Sequence, residues 1–127
     1  MTTAYWCVLV AGILPFVWTS TAKAVGGGFS PRNNRNPRDF LESLNGLAKR
    51  AHWAQLNAFE AFPLFAAAVI IAHLNNAPQA RIDMLAIAYI VLRVLHGVCY
   101  LADKGSPRSI VWFGAIGCAI AIFVAGA

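Results

Sequence analysis

Four stretches of this chain are apolar and long enough to cross a bilayer: Ala4 to Ala22, Ala51 to Leu74, Met84 to Ala102 and Ile110 to Ala127. About 20 apolar residues, each rising about 1.5 Å along a helix, match the hydrocarbon core of a membrane. Backbone amides in lipid must find partners within their own segment, so continuous runs of this kind span as helices. Hydrophobic residues fill 59% of the 127 positions and charged ones only 12%, where a soluble domain carries about a quarter charged. A soluble domain of this length could not hide so much apolar surface, and the same numbers exclude disorder. The expected fold class is an all-α polytopic membrane protein. Residues 1–127 form one domain, an antiparallel bundle of four transmembrane helices.

The runs differ in what interrupts them. Trp6 and Trp18 sit near the two ends of the first, where interfacial aromatics belong. Pro15 lies inside it, which a membrane helix tolerates when neighbours re-satisfy the freed carbonyl. No Lys or Arg precedes this run, so it lacks the charged start of a cleavable leader. The second contains Glu60 and Pro63, the third Arg93 and His96, and the fourth no charge at all.

The connections are polar. From Lys23 to Arg50 the chain is broken by Gly26-Gly27-Gly28, Ser30-Pro31 and Asn33-Asn34. Asn36 before Pro37 reads as an N-cap, which would start the second helix near Arg38, ahead of its entry into the membrane at Ala51. Asn75 to Pro78 makes the next turn and Asp103 to Pro107 the last, with Ser106 as the expected cap. Connections this short set consecutive helices side by side and antiparallel.

Basic residues sort by side. Lys23, Arg32, Arg35, Arg38, Lys49 and Arg50 fall in the first connection, Lys104 and Arg108 in the third, and only Arg81 on the opposite side. By the positive-inside rule both basic connections are cytoplasmic and both termini face outward, in a multi-pass protein of the inner cell membrane. The net charge of +5 therefore sets topology, and no nucleic-acid partner is expected.

Glu60 and Arg93 are the anomalies. A charged side chain at bilayer depth costs about 2.5–3.5 kcal/mol on insertion scales, so each should face a partner or a wet cleft. Arg50, Trp53, Asn57 and Glu60 recur every three or four residues on one face of the second helix, as do Arg93, His96 and Tyr100 on the third. Glu60 lies nine residues beyond Ala51 and Arg93 nine before Ala102, at similar depth on antiparallel neighbours. An ion pair between them is the expectation. Such a pair, taken alone, fits a structural role fixing helix partners equally well. With Arg50, Asn57, His96, Tyr100 and Arg108 gathered toward the cytoplasmic half, the set becomes a site for a small polar anion.

Other residues carry blander readings. Cys7, Cys99 and Cys118 lie in apolar stretches without metal spacing and read as buried small hydrophobes. His52 and His73 read as interfacial, and no two histidines share ligand spacing on a helix, so no metal site is expected. Gly114, Gly117, Cys118, Ala121 and Ala125 form a small-residue stripe on the fourth helix. Packing within one bundle and packing against another copy are both open for it. Trp112 and Phe113 could equally face lipid.

Two motifs resemble those of the MAPEG proteins, the membrane-associated proteins in eicosanoid and glutathione metabolism. The segment Arg50-Ala-His-Trp-Ala-Gln-Leu-Asn57-Ala-Phe-Glu60-Ala-Phe-Pro63 is similar to the family's second-helix signature, with Asn-x-x-Glu-x-x-Pro its specific part. Arg93-x-x-His96-x-x-x-Tyr100, followed by Pro107-Arg108-Ser109, matches the third helix and the start of the fourth. Length, four spans and a basic first loop agree, so the chain resembles a divergent, bacterial member throughout.

The resemblance implies a homotrimer that binds glutathione, as co-substrate, in a bent form between adjacent subunits. By position Arg50, Asn57, Glu60, Arg93, His96 and Tyr100 match the family's polar binding cluster. Arg108 matches the catalytic arginine that stabilises the glutathione thiolate. Trp53 departs from the pattern, because glutathione-binding members generally carry a second arginine there. It either stacks on an apolar ligand or anchors at the interface. Lys23, at the cytoplasmic end of the first helix, lies near the place where the resemblance implies a basic ligand contact, without matching it by position. Two functions follow. One is a glutathione-dependent transferase or peroxidase acting on hydrophobic electrophiles or lipids. The other is a non-enzymatic protein that binds or presents a membrane lipid.

Overall fold

The computed structural model describes residues 1–127 as six helices and no strand. Four are long: α1 (Thr3–Val25), α4 (Gly46–Leu74), α5 (Gln79–Leu101) and α6 (Gly105–Ala125). Each is long and apolar enough to cross a membrane. They correspond to the four runs, extended by a turn or so where polar residues continue the helix beyond the apolar core. Two short helices, α2 (Pro31–Arg35) and α3 (Pro37–Ser43), lie in the first connection. In the bundle α4 and α5 pack against each other, α1 packs on both, and α6 packs on both from another side.

The second helix therefore does not start near Arg38. Pro37 begins a separate seven-residue helix, and Asn36 precedes it without any capping bond from its side chain. Leu44 and Asn45 are extended, and Gly46 takes a positive φ of 58° as α4 begins. Glycine adopts that conformation without a Cβ penalty, so the chain turns here and α4 sets off anew. Leu41 and Leu44 hold the turn by burying against Ala22, Ala48 and Ala51. Nor does Ser106 cap α6, because the helix already begins at Gly105 and the Lys104 carbonyl accepts from the Arg108 amide.

The core is built from small residues and few large ones. Ala4, Ala11, Ala68, Ala72, Ala86, Ala115 and Ala119 are buried with Phe65, Val69, Ile82, Tyr89 and Ile122. Between membrane helices lipid tails are as apolar as leucine, so close van der Waals approach holds the bundle. Trp18 is an instance, and it corrects the interfacial reading. It is only 6% exposed, and its indole occupies the space left by the missing side chain of Gly97 on α5. Trp6 is exposed. On α6 the residues buried in the bundle are Ala115, Ala119 and Ile122, while Gly114 and Gly117 of the small-residue stripe are exposed.

At the end of the bundle that holds both termini, polar contacts tie three helices. The Asp83 carboxylate of α5 accepts from the Ala4 amide at 2.8 Å and from Gln79 at 2.7 Å. It satisfies an orphan donor at the start of α1. His73 is half-buried rather than simply interfacial. Its Nδ1 donates to the Val69 carbonyl at 2.7 Å, its Nε2 lies 2.9 Å from Thr2 Oγ1, and its ring stacks on Tyr5. His52, near the other end, is buried, with Nδ1 3.2 Å from Gln55 Oε1. The three cysteines are free thiols, Cys7 buried and the others half-buried.

Candidate functional site

The site forms where α4, α5 and α6 meet, and α4 is fixed there by an aromatic pair. Pro63 has no amide proton, so the helix loses one ladder bond beside it. Tyr89 of α5 lies flat on Phe65, ring centroids 3.9 Å apart and planes 5° from parallel. Its hydroxyl donates to the Ala61 carbonyl at 3.3 Å, within the same disturbed turn. This sets the register of α5 against α4 and brings Arg93, one turn beyond Tyr89, opposite Asn57.

Arg93 is 3% exposed, and its Nη2 donates to Asn57 Oδ1 at 2.7 Å. The expected ion pair with Glu60 is not formed. Three residues on from Asn57, Glu60 is turned about 60° round the helix and about 4.5 Å further along it. The buried guanidinium meets the amide squarely, and the carboxylate is carried to the lip of the groove, where Glu60 is exposed. Both still border one cavity of about 150 Å³, walled by Asn57, Tyr89, Leu64 and Trp112.

A second hollow, of about 290 Å³, adjoins the first through Asn57 and Trp112, which line both. His96, Tyr100, Arg108 and Ser109 line it as well. The Arg108 guanidinium stands 4.4 Å from the centre of the Tyr100 ring, within cation–π range. Tyr100 in turn meets His96 edge to face, centroids 5.2 Å apart. Spacing of four on α5 aligns these two rings, and the first turn of α6 delivers the arginine to them.

Six of the seven residues singled out from the sequence thus line the cleft made by these two adjoining hollows: Asn57, Glu60, Arg93, His96, Tyr100 and Arg108. Arg50 does not. Its Nη2 donates to the Leu101 carbonyl at 3.3 Å, capping the end of α5, where a cation is favoured by the helix dipole. Its Nε is buried without a partner. Trp53 is 46% exposed beside Lys49, whose ammonium is 6.0 Å from the ring centre, and it too lines neither hollow. Tyr89, Ser109 and Trp112 are among the cleft residues that were not singled out from the sequence. Tyr89, four before Arg93, and Ser109, next to Arg108, could have been found by spacing and adjacency. Trp112 gave no signal that separated the cleft from lipid.

The profile of the MAPEG family matches residues 3–127, nearly the whole chain. The chain belongs to the MAPEG family. No curated protein matches it. It is thus a multi-pass membrane protein of the kind involved in glutathione and eicosanoid metabolism. In this MAPEG protein the cleft presents two guanidiniums, an imidazole, a phenol and an amide, with one carboxylate at the rim. Two cations and several neutral donors beside one carboxylate are the chemistry of a site for a small polar anion.

Proposed function

We propose that this protein is an integral membrane glutathione-dependent transferase or peroxidase acting on hydrophobic electrophilic or lipid substrates. The observation that carries the reading is Arg108, held over Tyr100 at the end of a cleft whose other wall is the Arg93–Asn57 pair. Glutathione carries two carboxylates and one ammonium, and the cleft offers Arg93, His96 and Asn57 against the former and Glu60 against the latter. A free thiol has a pKa of about 8.5 and only its thiolate is a strong nucleophile. A guanidinium beside the sulfur stabilises the thiolate, so Arg108 is the residue assigned the catalytic role. In the transferase reaction the thiolate forms a carbon–sulfur bond with the electrophile; in a displacement the bond to the leaving group breaks and the pair departs with it, and in an addition the pair of the opened bond stays on the substrate and takes a proton from water.

The cleft opens on the side of a single chain, and Glu60 at bilayer depth is exposed there. An exposed carboxylate in lipid is costly, which supports assembly as a homotrimer with the cleft closed by a neighbour. Basic connections on the cytoplasmic side of the inner cell membrane and outward termini complete the reading. Native mass spectrometry with and without glutathione tests it. A trimer that takes up the thiol, and loses it on Arg108→Ala, supports the proposal, and no uptake at millimolar glutathione refutes it.

Trp53 favours a second reading, that of a non-enzymatic lipid-binding or lipid-presenting protein. It is exposed where glutathione-binding relatives are expected to carry an arginine. A tightly co-purifying lipid, with thermal stability indifferent to glutathione, is the signature of that reading.

A further inference from the structure

From the last turn of α1 to the first turn of α4, Lys23 to Arg50, the chain holds six of the ten basic residues and two of the five acidic ones, and three of the six, Arg32, Arg35 and Arg38, lie in the connection itself. It is an ordered platform. Ser30 Oγ accepts from the Asn33 amide at 3.3 Å, Ser43 Oγ donates to the Phe40 carbonyl at 2.7 Å, and Lys49 Nζ donates to the Glu42 carbonyl. The Phe40 ring packs against Gly28, and Leu41 and Leu44 bury on the ends of α1 and α4. The segment is thereby folded back on the ends of two membrane-spanning helices. Outward it leaves the side chains of Arg32, Arg35 and Arg38, the carboxylates of Asp39 and Glu42 along α3, and a phenylalanine, Phe29, that is 70% exposed. Beside Phe29 lies a recess of about 360 Å³ bordered by Lys23, Asn33 and Asn34.

We infer that this α2–α3 platform is a docking surface for the headgroups of anionic phospholipids in the bilayer that the protein spans. Guanidiniums pair with phosphate oxygens through charge-assisted hydrogen bonds, and most of the attraction comes from the positive charge itself. An exposed aromatic among basic residues is the composition of a segment resting in the headgroup layer. Basic clusters directly adjoining a transmembrane helix draw anionic lipid, each residue contributing about a fivefold preference near the surface. The platform meets both conditions, because its own hydrogen bonds come from serines and Lys49 and its burial from Phe40, Leu41 and Leu44. The three arginines are left for an external anion. None of them belongs to the cleft, so the surface is separate from the glutathione reading.

The test is native mass spectrometry of the full chain in detergent with equal amounts of phosphatidylglycerol and phosphatidylcholine of the same acyl chains. The wild type should retain the anionic lipid over the neutral one by about tenfold or more, and the preference should shrink as salt rises. The triple change Arg32→Gln, Arg35→Gln, Arg38→Gln should bring retention of the two lipids close to equal. The corresponding triple change to lysine should keep most of the preference, which separates lost charge from lost folding. Equal retention by the wild type overturns the inference, as does an undiminished preference in the glutamine variant. Displacement of the lipid by millimolar inorganic phosphate, or by a short RNA at physiological salt, would assign the surface to another anion and overturn it too.

Discussion

Arg93, buried midway along a membrane-spanning helix, donates to Asn57 at 2.7 Å and not to the carboxylate of Glu60 three residues further on. A neutral amide thus takes the place of a counter-ion. Under the function proposed above, this leaves the guanidinium's charge for a ligand in the adjoining cavity, where a carboxylate partner would already have neutralised it.

Loss of the amide should therefore cost more than loss of the carboxylate. Asn57→Leu is expected to lower the unfolding free energy by about 1.5–3 kcal/mol, the range for a hydrogen bond to a charged group. Glu60→Gln, at an exposed position, should cost less than about 1 kcal/mol. In a double-mutant cycle, Asn57→Leu with Arg93→Met should be less damaging than the two single changes added together. Unfolding in detergent checks this. A Glu60→Gln loss as large as that of Asn57→Leu contradicts the geometry.

Trp18 and Gly97 form a size-matched contact between α1 and α5, with no room for a Cβ. Gly97→Ala is expected to cost about 1–3 kcal/mol by overpacking. Adding Trp18→Phe should return part of that loss, since the smaller ring frees the contested volume. A Gly97→Ala protein as stable as the wild type would show that the helices pack at another register.

Asp83 fastens the first turn of α1 through the Ala4 amide. Asp83→Ala should destabilise the protein by about 1–2 kcal/mol, in line with a lost helix cap. Hydrogen exchange should rise most at residues 3–6. Uniform exchange along α1 would mean the contact does not anchor it.

Much of this was legible in the sequence, for identifiable reasons. Apolar runs of membrane length can form only a few structures, so the four spans were readable without knowing their neighbours. Spacing of three and four put Asn57 with Glu60, and Arg93 with His96 and Tyr100, on common faces, and those faces do line one cleft. Periodicity reports an angle around a helix and says nothing of what stands opposite. Asn57 and Glu60 are about 60° apart, and only the packing of Tyr89 on Phe65 decides which of them meets Arg93. Arg50 shares their face but lies two turns nearer the loop, where the end of α5 claims it. Trp18 was misplaced because its pocket is made by a glycine on another helix. The break before α4 depends on the positive φ of Gly46, which the helical pattern around it concealed.

Trp53 offers a gain-of-function test. If it stands where an arginine would hold a glutathione carboxylate, Trp53→Arg should tighten glutathione binding by about tenfold, as one charge-assisted hydrogen bond would. Titration of the purified variant against the wild type measures it. Unchanged affinity would place residue 53 outside the reach of the ligand.

In the proposed function Arg108 holds glutathione as its thiolate. Calorimetric titration of glutathione into the wild type and Arg108→Ala, each in two buffers of different ionisation enthalpy, counts the protons released on binding. The wild type should bind saturably with release of the thiol proton at neutral pH, and Arg108→Ala should lose that release. Binding without proton release, or release that survives the substitution, would contradict this role.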